Sequence, residues 1–345
     1  LGWRDLFIEL SKKGFSIEQM LSAGLIIKKE NEEKYFDRFR GRIMFPIKNS
    51  FNNTVAFSAR ILPKFDDGKM GKYINSPETE IYNKSKILFG YNIAKKYIAE
   101  KKEVIITEGQ MDLIMSNQVG IKNIIATSGT AISEEHINIL KRFADKVLLS
   151  FDQDKAGEEA QKKCAFLTLY AGLDVYIIDK KEGIKDVADL INNFGGEEWI
   201  NFINKKKHII EFLTEKILKT TNEKREIGFF LQREIIPVLK AINNNIDKDY
   251  FIKYVSQKLN VNETSIISEI SKIKLNNQVE KKEDDEKINK ELFINNLLLL
   301  ILALITWKNI DINNFFEKEK EKELLDIFLE KSKIIPNELI EKEII

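Results

Sequence analysis

The chain has 345 residues, 43% of them hydrophobic and 32% charged, with a net charge of +1: enough apolar side chains for two or three domains, and no global charge bias towards a polyanion or a membrane surface. One cysteine, Cys164, excludes a disulfide framework and a multi-cysteine zinc site, and two histidines, His136 and His208, argue against a histidine-rich metal centre. No signal-peptide pattern opens the sequence, and the most apolar run, 297–305, is shorter than the ~20 residues that span a bilayer, so a cytoplasmic chain without membrane attachment is expected. The first residue, Leu1, and the apolar end at Ile344 and Ile345 lead us to expect a fragment of a longer protein.

In chain order, residues 1–36 read as helical, with Leu6, Leu10, Ile17, Leu21 and Leu25 at helix-like spacing and Gly14 and Gly24 as punctuation. Residues 42–48 (RIMFPIK) and 54–62 (TVAFSARIL) read as two strands around a turn at 49–53. Between Arg38 and Lys96, twelve Lys and Arg stand against four acids, a local charge of +8 in a chain that is +1 overall. Phe39, Phe57, Phe65 and Tyr73 are interleaved with these cations. Such a cluster suits phosphate contacts beside base stacking, although any one of these aromatics is more simply a core residue.

Residues 103–193 alternate strand and helix as a doubly wound unit does. Strands are expected over 104–107, 123–127, 146–151 and 174–178, and helices over 110–118, 134–142 (with Ser133 as its N-cap and Glu134 and Glu135 in its first turn), 156–171 and 187–193. Two of the strands end in acids and a glycine: VIITEGQMD gives Glu108 and Asp112, and LLSFDQDKAG gives Asp152 and Asp154. Ligands of open α/β sheets sit beyond the carboxyl ends of the strands. If the two strands are neighbours, these acids share one edge, where mutual repulsion calls for a hard cation such as Mg²⁺. A calcium loop counted from Asp152 fails, because its fifth position is Ala156 and its twelfth Lys163 rather than a bidentate Glu. An aspartyl-phosphate phosphatase would need no upstream Glu-Gly. Helix capping explains one aspartate easily but not two acids after one strand and a third after another.

Residues 195–275 read as amphipathic helices without a recognisable site. Residues 278–290 (QVEKKEDDEKINK) form a charge run expected to be a solvated linker. An apolar helix over 291–307 and a charged amphipathic helix over 317–333 follow.

Glu-Gly-x-x-Asp (Glu108, Gly109, Asp112) and Asp-x-Asp (Asp152, Asp154), with Ser128–Gly129–Thr130 between them, resemble the Toprim domain of bacterial primases, topoisomerases and some nucleases. The preceding DRFRGRIMFPI, FSAR and KYINSPET segments, with Lys84 and the FDQDKAG form of the acidic motif, resemble the RNA polymerase core of the DnaG-type bacterial primase. The resemblance covers residues 1–195 with specific motifs. It implies a Toprim-like parallel sheet with flanking helices, preceded by a mixed α+β basic subdomain and followed by helical segments. The expected partition is a basic subdomain over 1–97, the Toprim catalytic subdomain over 98–195, a helical subdomain over 196–275, a linker over 276–290 and a partial helical C-terminal region over 291–345.

The same resemblance implies DNA-templated synthesis of short RNA primers by metal-dependent nucleotidyl transfer. Mg²⁺, for which Mn²⁺ can substitute, is the expected cofactor, and zinc belongs only to the family's N-terminal zinc-binding domain, which the single cysteine cannot supply. Glu108, Asp152 and Asp154 are the expected catalytic residues. Asp112 joins them as a metal ligand, as does Asp186, expected from the end of the last strand. Arg40, Arg60, Lys72, Tyr73, Asn75 and Lys84 are the expected contacts to template or nucleotide. The late acidic motif departs from the family's usual Asp-Pro-Asp, reading Asp186–Val187–Ala188–Asp189, with Asp189 offset. Expected partners are a single-stranded DNA template, ribonucleoside triphosphates and, through the C-terminal region, a DnaB-type replicative helicase; the chain is expected to be a monomer. A Toprim nuclease or repair factor would keep the acids without the RIMFPI and KYINSPET segments. A DNA- or helicase-binding module without catalysis would keep the surfaces without metal.

Overall fold

The computed structural model describes residues 2–28, 34–66, 68, 71–180 and 183–273. The linker over 276–290 and the helicase-docking region over 291–345 lie outside the described residues.

The chain opens with α1 (Asp5–Lys12) and α2 (Ile17–Ser22). Ser16 and Gln19 form a reciprocal capping box that starts α2: Ser16 Oγ accepts the Gln19 N–H and Gln19 Oε1 accepts the Ser16 N–H. The expectation of helix through residue 36 holds only as far as Gly24, whose left-handed φ of +65° ends α2. Beyond it the β-branched pair Ile26–Ile27 forms β1 (Ile26–Lys28), antiparallel to β2 (Tyr35–Asp37). Asp37 anchors α1 from this ribbon, accepting the Leu6 and Phe7 N–H groups on its two carboxylate oxygens at 2.8 and 2.9 Å.

A three-stranded antiparallel sheet follows, with β3 (Arg42–Lys48), β4 (Thr54–Ile61) and β5 (Tyr73–Asn75) in that order. The first two are the strands expected from the alternation around the Asn49–Asn53 turn, which closes with a hydrogen bond from Asn49 N–H to Asn53 O. The third has only three residues, too few for a period of two to declare itself. Carbonyls of this strand and of the residues leading into it anchor the cations: Arg38 donates from Nε and Nη2 to Asn75 O, and the buried Arg42 donates from Nη1 to Gly71 O at 2.9 Å. Part of the local positive charge thus serves the fold.

From α3 (Tyr91–Lys101) the chain enters the strand–helix alternation: β6 (Glu103–Thr107), α4 (Gln110–Gln118), β7 (Ile124–Ala126), α5 (Glu134–Lys141), β8 (Lys146–Ser150), α6 (Lys155–Tyr170), β9 (Asp174–Ile177) and α7 (Val187–Phe194). Then come α8 (Gly196–Asn204), β10 (Lys207–His208), α9 (Ile209–Thr220), α10 (Lys224–Phe230), a π-helical turn (Leu231–Ile235), α11 (Ile236–Ala241), α12 (Asn245–Leu259) and α13 (Glu263–Lys272). The strand order is β10-β9-β8-β6-β7, parallel except for the two-residue edge strand β10. That edge strand lies inside the stretch read as wholly helical, and two residues leave no periodic trace.

Alternation along the parallel strands divides the core into two layers. Val104, Ile106, Val147, Leu149 and Val175 face α3, α5, α6 and the helices from α9 onward, meeting Ile98, Leu140, Cys164 and Ile210. Ile105, Ile124 and Leu148 face the other way, towards Leu113 of α4, Val187 and Leu190 of α7 and Trp199 of α8. Burial on both faces, at roughly 1.5–3 kcal/mol for each large aliphatic side chain, fixes the strand register. The register in turn fixes which residues emerge at the carboxyl edge.

Candidate metal and nucleic-acid site

Glu108 follows β6 and Asp152 follows β8, and these strands are adjacent, with Thr107 opposite Ser150. Glu108 Oε1 accepts the Asp152 N–H at 3.0 Å. Asp154 caps α6, its Oδ1 accepting the Gly157 N–H at 2.9 Å. Asp186 does not project from the end of β9 as expected. It lies nine residues further on and caps α7, Oδ1 accepting the Asp189 N–H at 2.7 Å. Asp112 sits in the first turn of α4, and both its oxygens accept backbone N–H groups: Oδ2 from Gly109 at 3.1 Å and Oδ1 from Ala188 at 2.9 Å. It therefore ties the start of α4 to the start of α7.

Helix N-termini favour negative charge, and α4, α6 and α7 each direct one at this rim. That is how five acids are tolerated together. The compensation is partial. Burial, and next the neighbouring Glu108 carboxylate, push Asp152 up to about 6, against the opposing pull of Lys180. Burial likewise pushes Asp112 up to about 6, with backbone hydrogen bonds to Ala188 and Gly109 working against it. The sign of the linkage follows: a raised folded-state value means a contribution to stability that is complete below the ordinary 3.8 and lost as pH rises through about 6. Thermal unfolding in EDTA should therefore show these two groups favouring the fold as pH is lowered from 7.5 to 5. Asp152→Asn, which cannot titrate, should flatten that trend; an identical slope would contradict the assignment.

Gly157 is the position where a side chain is excluded. A Cβ there would run into the Asp152 carbonyl oxygen and lie 2.8 Å from Glu108 Oε1. Its absence lets the N-terminus of α6 close on the two acids. The donors are all carboxylate oxygens, the chemistry that suits a hard divalent cation, and Glu108 and Asp152 are only partly buried. Among the described residues no three acidic side chains stand close enough together, as placed, to hold a metal ion; Glu108, Asp112, Asp154 and Asp186 each have an oxygen engaged with a backbone amide, and the Asp152 carboxylate would have to be joined by their remaining oxygens.

The antiparallel sheet abuts this rim. Asn75 Nδ2 donates to Ser128 O at 2.7 Å, and Ser128 N–H donates to Glu108 O at 2.9 Å. Gln110 Nε2 donates to Ser58 Oγ at 2.7 Å, joining α4 to β4. Arg60 lies over the Tyr73 ring, 5.6 Å from its centroid, within the range of a cation–π contact. Burial raises the Tyr73 hydroxyl, Arg60 opposes it, and Asp112 and Asp186 add to the rise, so Tyr73 senses the acid rim. Lys72 is exposed beside it and Lys84 half-buried. Arg40 turns instead to the N-terminal helices, stacking 4.8 Å from the Trp3 ring centroid and donating to Asp37 O.

Sequence reasoning brought Glu108, Asp112, Asp152, Asp154 and Asp186 to the same rim, with Arg60, Lys72, Tyr73 and Asn75 on the neighbouring sheet. It missed Lys180, only 6% exposed, which donates from Nζ to Phe151 O at 2.7 Å and to Lys185 O at 3.3 Å. Burial lowers its ammonium, opposed by Asp112, Asp152, Asp186 and Glu108, which identifies the charges around it. In sequence Lys180 stands next to Lys181 in a polar stretch, and nothing distinguishes it from a solvated turn. Gly157 had been read only as the closing glycine of the acidic motif.

A doubly wound parallel sheet carrying Glu-Gly-x-x-Asp and Asp-x-Asp on adjacent strand ends defines a Toprim-fold protein. Residues 105–191 match the family described as Toprim-like, and residues 2–95 match the DNA primase catalytic core, N-terminal domain. The chain belongs to the DNA primase family. It is 35% identical over 262 residues to a DNA primase of Staphylococcus epidermidis, an alignment covering 76% of this chain and 43% of that protein. It is similar to the crystal structure of a DNA primase domain from Pseudomonas aeruginosa, with TM-score 0.66, 30% identity and coverage of 78% of this chain and 84% of that one. It is also similar to the RNA polymerase domain of Mycobacterium tuberculosis primase DnaG in complex with double-stranded DNA, with TM-score 0.62, 29% identity and coverage of 75% and 82%. The chain thus spans less than half of the S. epidermidis protein.

Proposed function

We propose that this chain carries the catalytic core of a primase that copies single-stranded DNA into short RNA primers from ribonucleoside triphosphates. The observation that carries the reading is the contact between two acid-bearing strand ends, Glu108 Oε1 to Asp152 N–H at 3.0 Å, beside a basic sheet held to the same rim through Asn75 and Ser128. Glu108, Asp152, Asp154 and Asp186 would hold Mg²⁺, or Mn²⁺ in its place. Asp112, with both oxygens on backbone amides, would hold α4 and α7 behind them. When bound, the metal supplies countercharge for the attacking 3′-hydroxyl and the departing pyrophosphate.

The chain's own residues do the rest. Arg60 and Lys72 would bind phosphates of the template or the incoming nucleotide, Tyr73 would offer a stacking face, and Lys84 would add charge at the margin. Asn75 would position the loop carrying Ser128 through its hydrogen bond, leaving direct strand contact to its neighbours. Arg40 would contribute from the side packed on Trp3. Phosphate contacts position a strand without reading it, so weak sequence preference is expected. We place the protein in the cytoplasm as a monomer at the replication fork. A DnaB-type helicase is its proposed partner, through residues outside those described. The DNA-bound M. tuberculosis relative supports the DNA-binding part of this reading.

The direct test supplies the chain and a zinc-binding domain with single-stranded DNA, ribonucleotides and Mg²⁺ or Mn²⁺. Short RNA products are expected, and their absence with both metals would contradict the proposal. A second test addresses the basic sheet. Arg60→Ala with Lys72→Ala should weaken single-strand binding and reduce the slope of log K against log salt by about 1.4, at roughly 0.7 for each lost phosphate contact. Fluorescence anisotropy across a salt series measures it, and an unchanged slope would remove these residues from the interface.

A further inference from the structure

Two stretches supply three of the acids at the rim: 151–154, with Asp152 and Asp154, and 183–186, ending at Asp186. They are joined by a compact set of bonds between neutral atoms and one buried cation. Lys180 Nζ donates to Phe151 O, the residue before Asp152, at 2.7 Å, and to Lys185 O, the residue before Asp186, at 3.3 Å. Gln153, between the two aspartates, completes the bond set from the other side. Its Nε2 donates to Lys180 O at 3.1 Å and its backbone N–H to Lys185 O at 3.4 Å. A cavity of about 550 Å³, lined by Asp152, Gln153, Asp179 and Lys180 among others, adjoins the junction. A buried ammonium without a direct carboxylate partner is costly unless its protons are bonded and opposite charge lies near. Lys180 has both.

We infer that Lys180 is a positioning residue whose ammonium staples the Asp152–Asp154 loop to the Asp186 loop and so preassembles the metal-binding rim before any metal arrives. The inference rests on the metal-site reading above and adds a residue that neither the acidic motifs nor the primase resemblance singles out. A lysine suits the task because a point charge with three donors can bond two carbonyls while offsetting the surrounding carboxylates. Without it a divalent ion would have to gather the loops against their mutual repulsion, and that work would appear as weaker binding.

The test measures Mn²⁺ binding by the full 345-residue chain, using electron paramagnetic resonance without DNA or nucleotide, alongside thermal midpoints in EDTA. Lys180→Met should raise the Mn²⁺ half-saturation concentration about tenfold, a change worth roughly 1.4 kcal/mol. Lys180→Arg, which keeps charge and donors, should stay within about threefold of the unaltered chain. Gln153→Ala removes the reciprocal bond without unpairing the ammonium and should give an intermediate loss; it serves as the test if Lys180→Met does not fold. A role confined to general stability would lower the midpoint in EDTA and leave Mn²⁺ affinity unchanged, which would overturn the inference. Tighter Mn²⁺ binding by Lys180→Met would overturn it too, making the lysine a competitor for the site. If the unaltered chain binds no Mn²⁺ that Asp152→Asn abolishes, the metal reading itself fails and the inference with it. Saturable binding unaffected by Lys180→Met or Gln153→Ala leaves the metal reading intact and sinks only the staple.

Discussion

Asp152→Asn is expected to cut primer synthesis about 10³-fold or more while leaving the chain folded. The Asp152 backbone N–H donates to Glu108 Oε1, and burial and that like charge push the Asp152 carboxyl up to about 6. Such an acid is held ionised against its surroundings, so its charge serves something other than stability. Loss of a metal ligand that stabilises charge only as the phosphate bond changes costs several kcal/mol, and each 1.36 kcal/mol is a factor of ten in rate. The neutral amide relieves the repulsion from Glu108, so the metal-free midpoint should be unchanged or higher. Primer synthesis assayed beside a melting curve checks both halves. Retained activity would remove Asp152 from the chemistry, and a collapsed midpoint would mean that the residue serves the fold.

Gly157→Ala should be nearly as damaging through sterics alone. The added methyl would collide with the Asp152 carbonyl and press on Glu108 Oε1, and the carbonyl, being backbone, cannot swing away. Either α6 retreats or the 151–154 loop shifts, and each moves two acids at once. A misplacement of about 1 Å in a catalytic constellation can cost about 10²-fold, and overpacking of this kind costs about 1–3 kcal/mol of stability. The expected outcome is a loss of about 10²-fold in primer synthesis and a midpoint lower by several degrees, from a substitution that alters no charge. Primer yield near that of the unaltered chain would mean that the close approach of α6 is dispensable.

How far the sequence could be read depended on how long each signal ran. The parallel strands were legible because they are buried on both faces, so Val104–Ile106 and Val147–Leu149 stand out as unbroken apolar runs. Their adjacency stood only as a condition in the sequence, and the pairing of β6 with β8 meets it. The ribbon of β1 and β2 was hidden because the leucine spacing before it suggests a helix running on, and only Gly24 marks the stop. Short strands such as β5 and β10 are made by their partners and carry no period of their own. Asp186 was assigned to the last strand, although strand and helix bounds of 174–178 and 187–193 already left it just ahead of the helix, where it caps α7. Lys180 was invisible, since its burial arises from two loops that meet only in the folded chain. The basic cluster was legible as a whole, but Arg38 and Arg42 bind backbone carbonyls of the fold, a division of labour that charge counting cannot see.

The most direct measurement is an anomalous-scattering map from crystals of the chain soaked in Mn²⁺. The carboxylates after β6 and β8 and at the cap of α7 should enclose a peak in contact with Asp152, at the rim beneath Tyr73 and Arg60. A soaked crystal with no density among Glu108, Asp152, Asp154 and Asp186, or with manganese only at remote surface carboxylates, would contradict it.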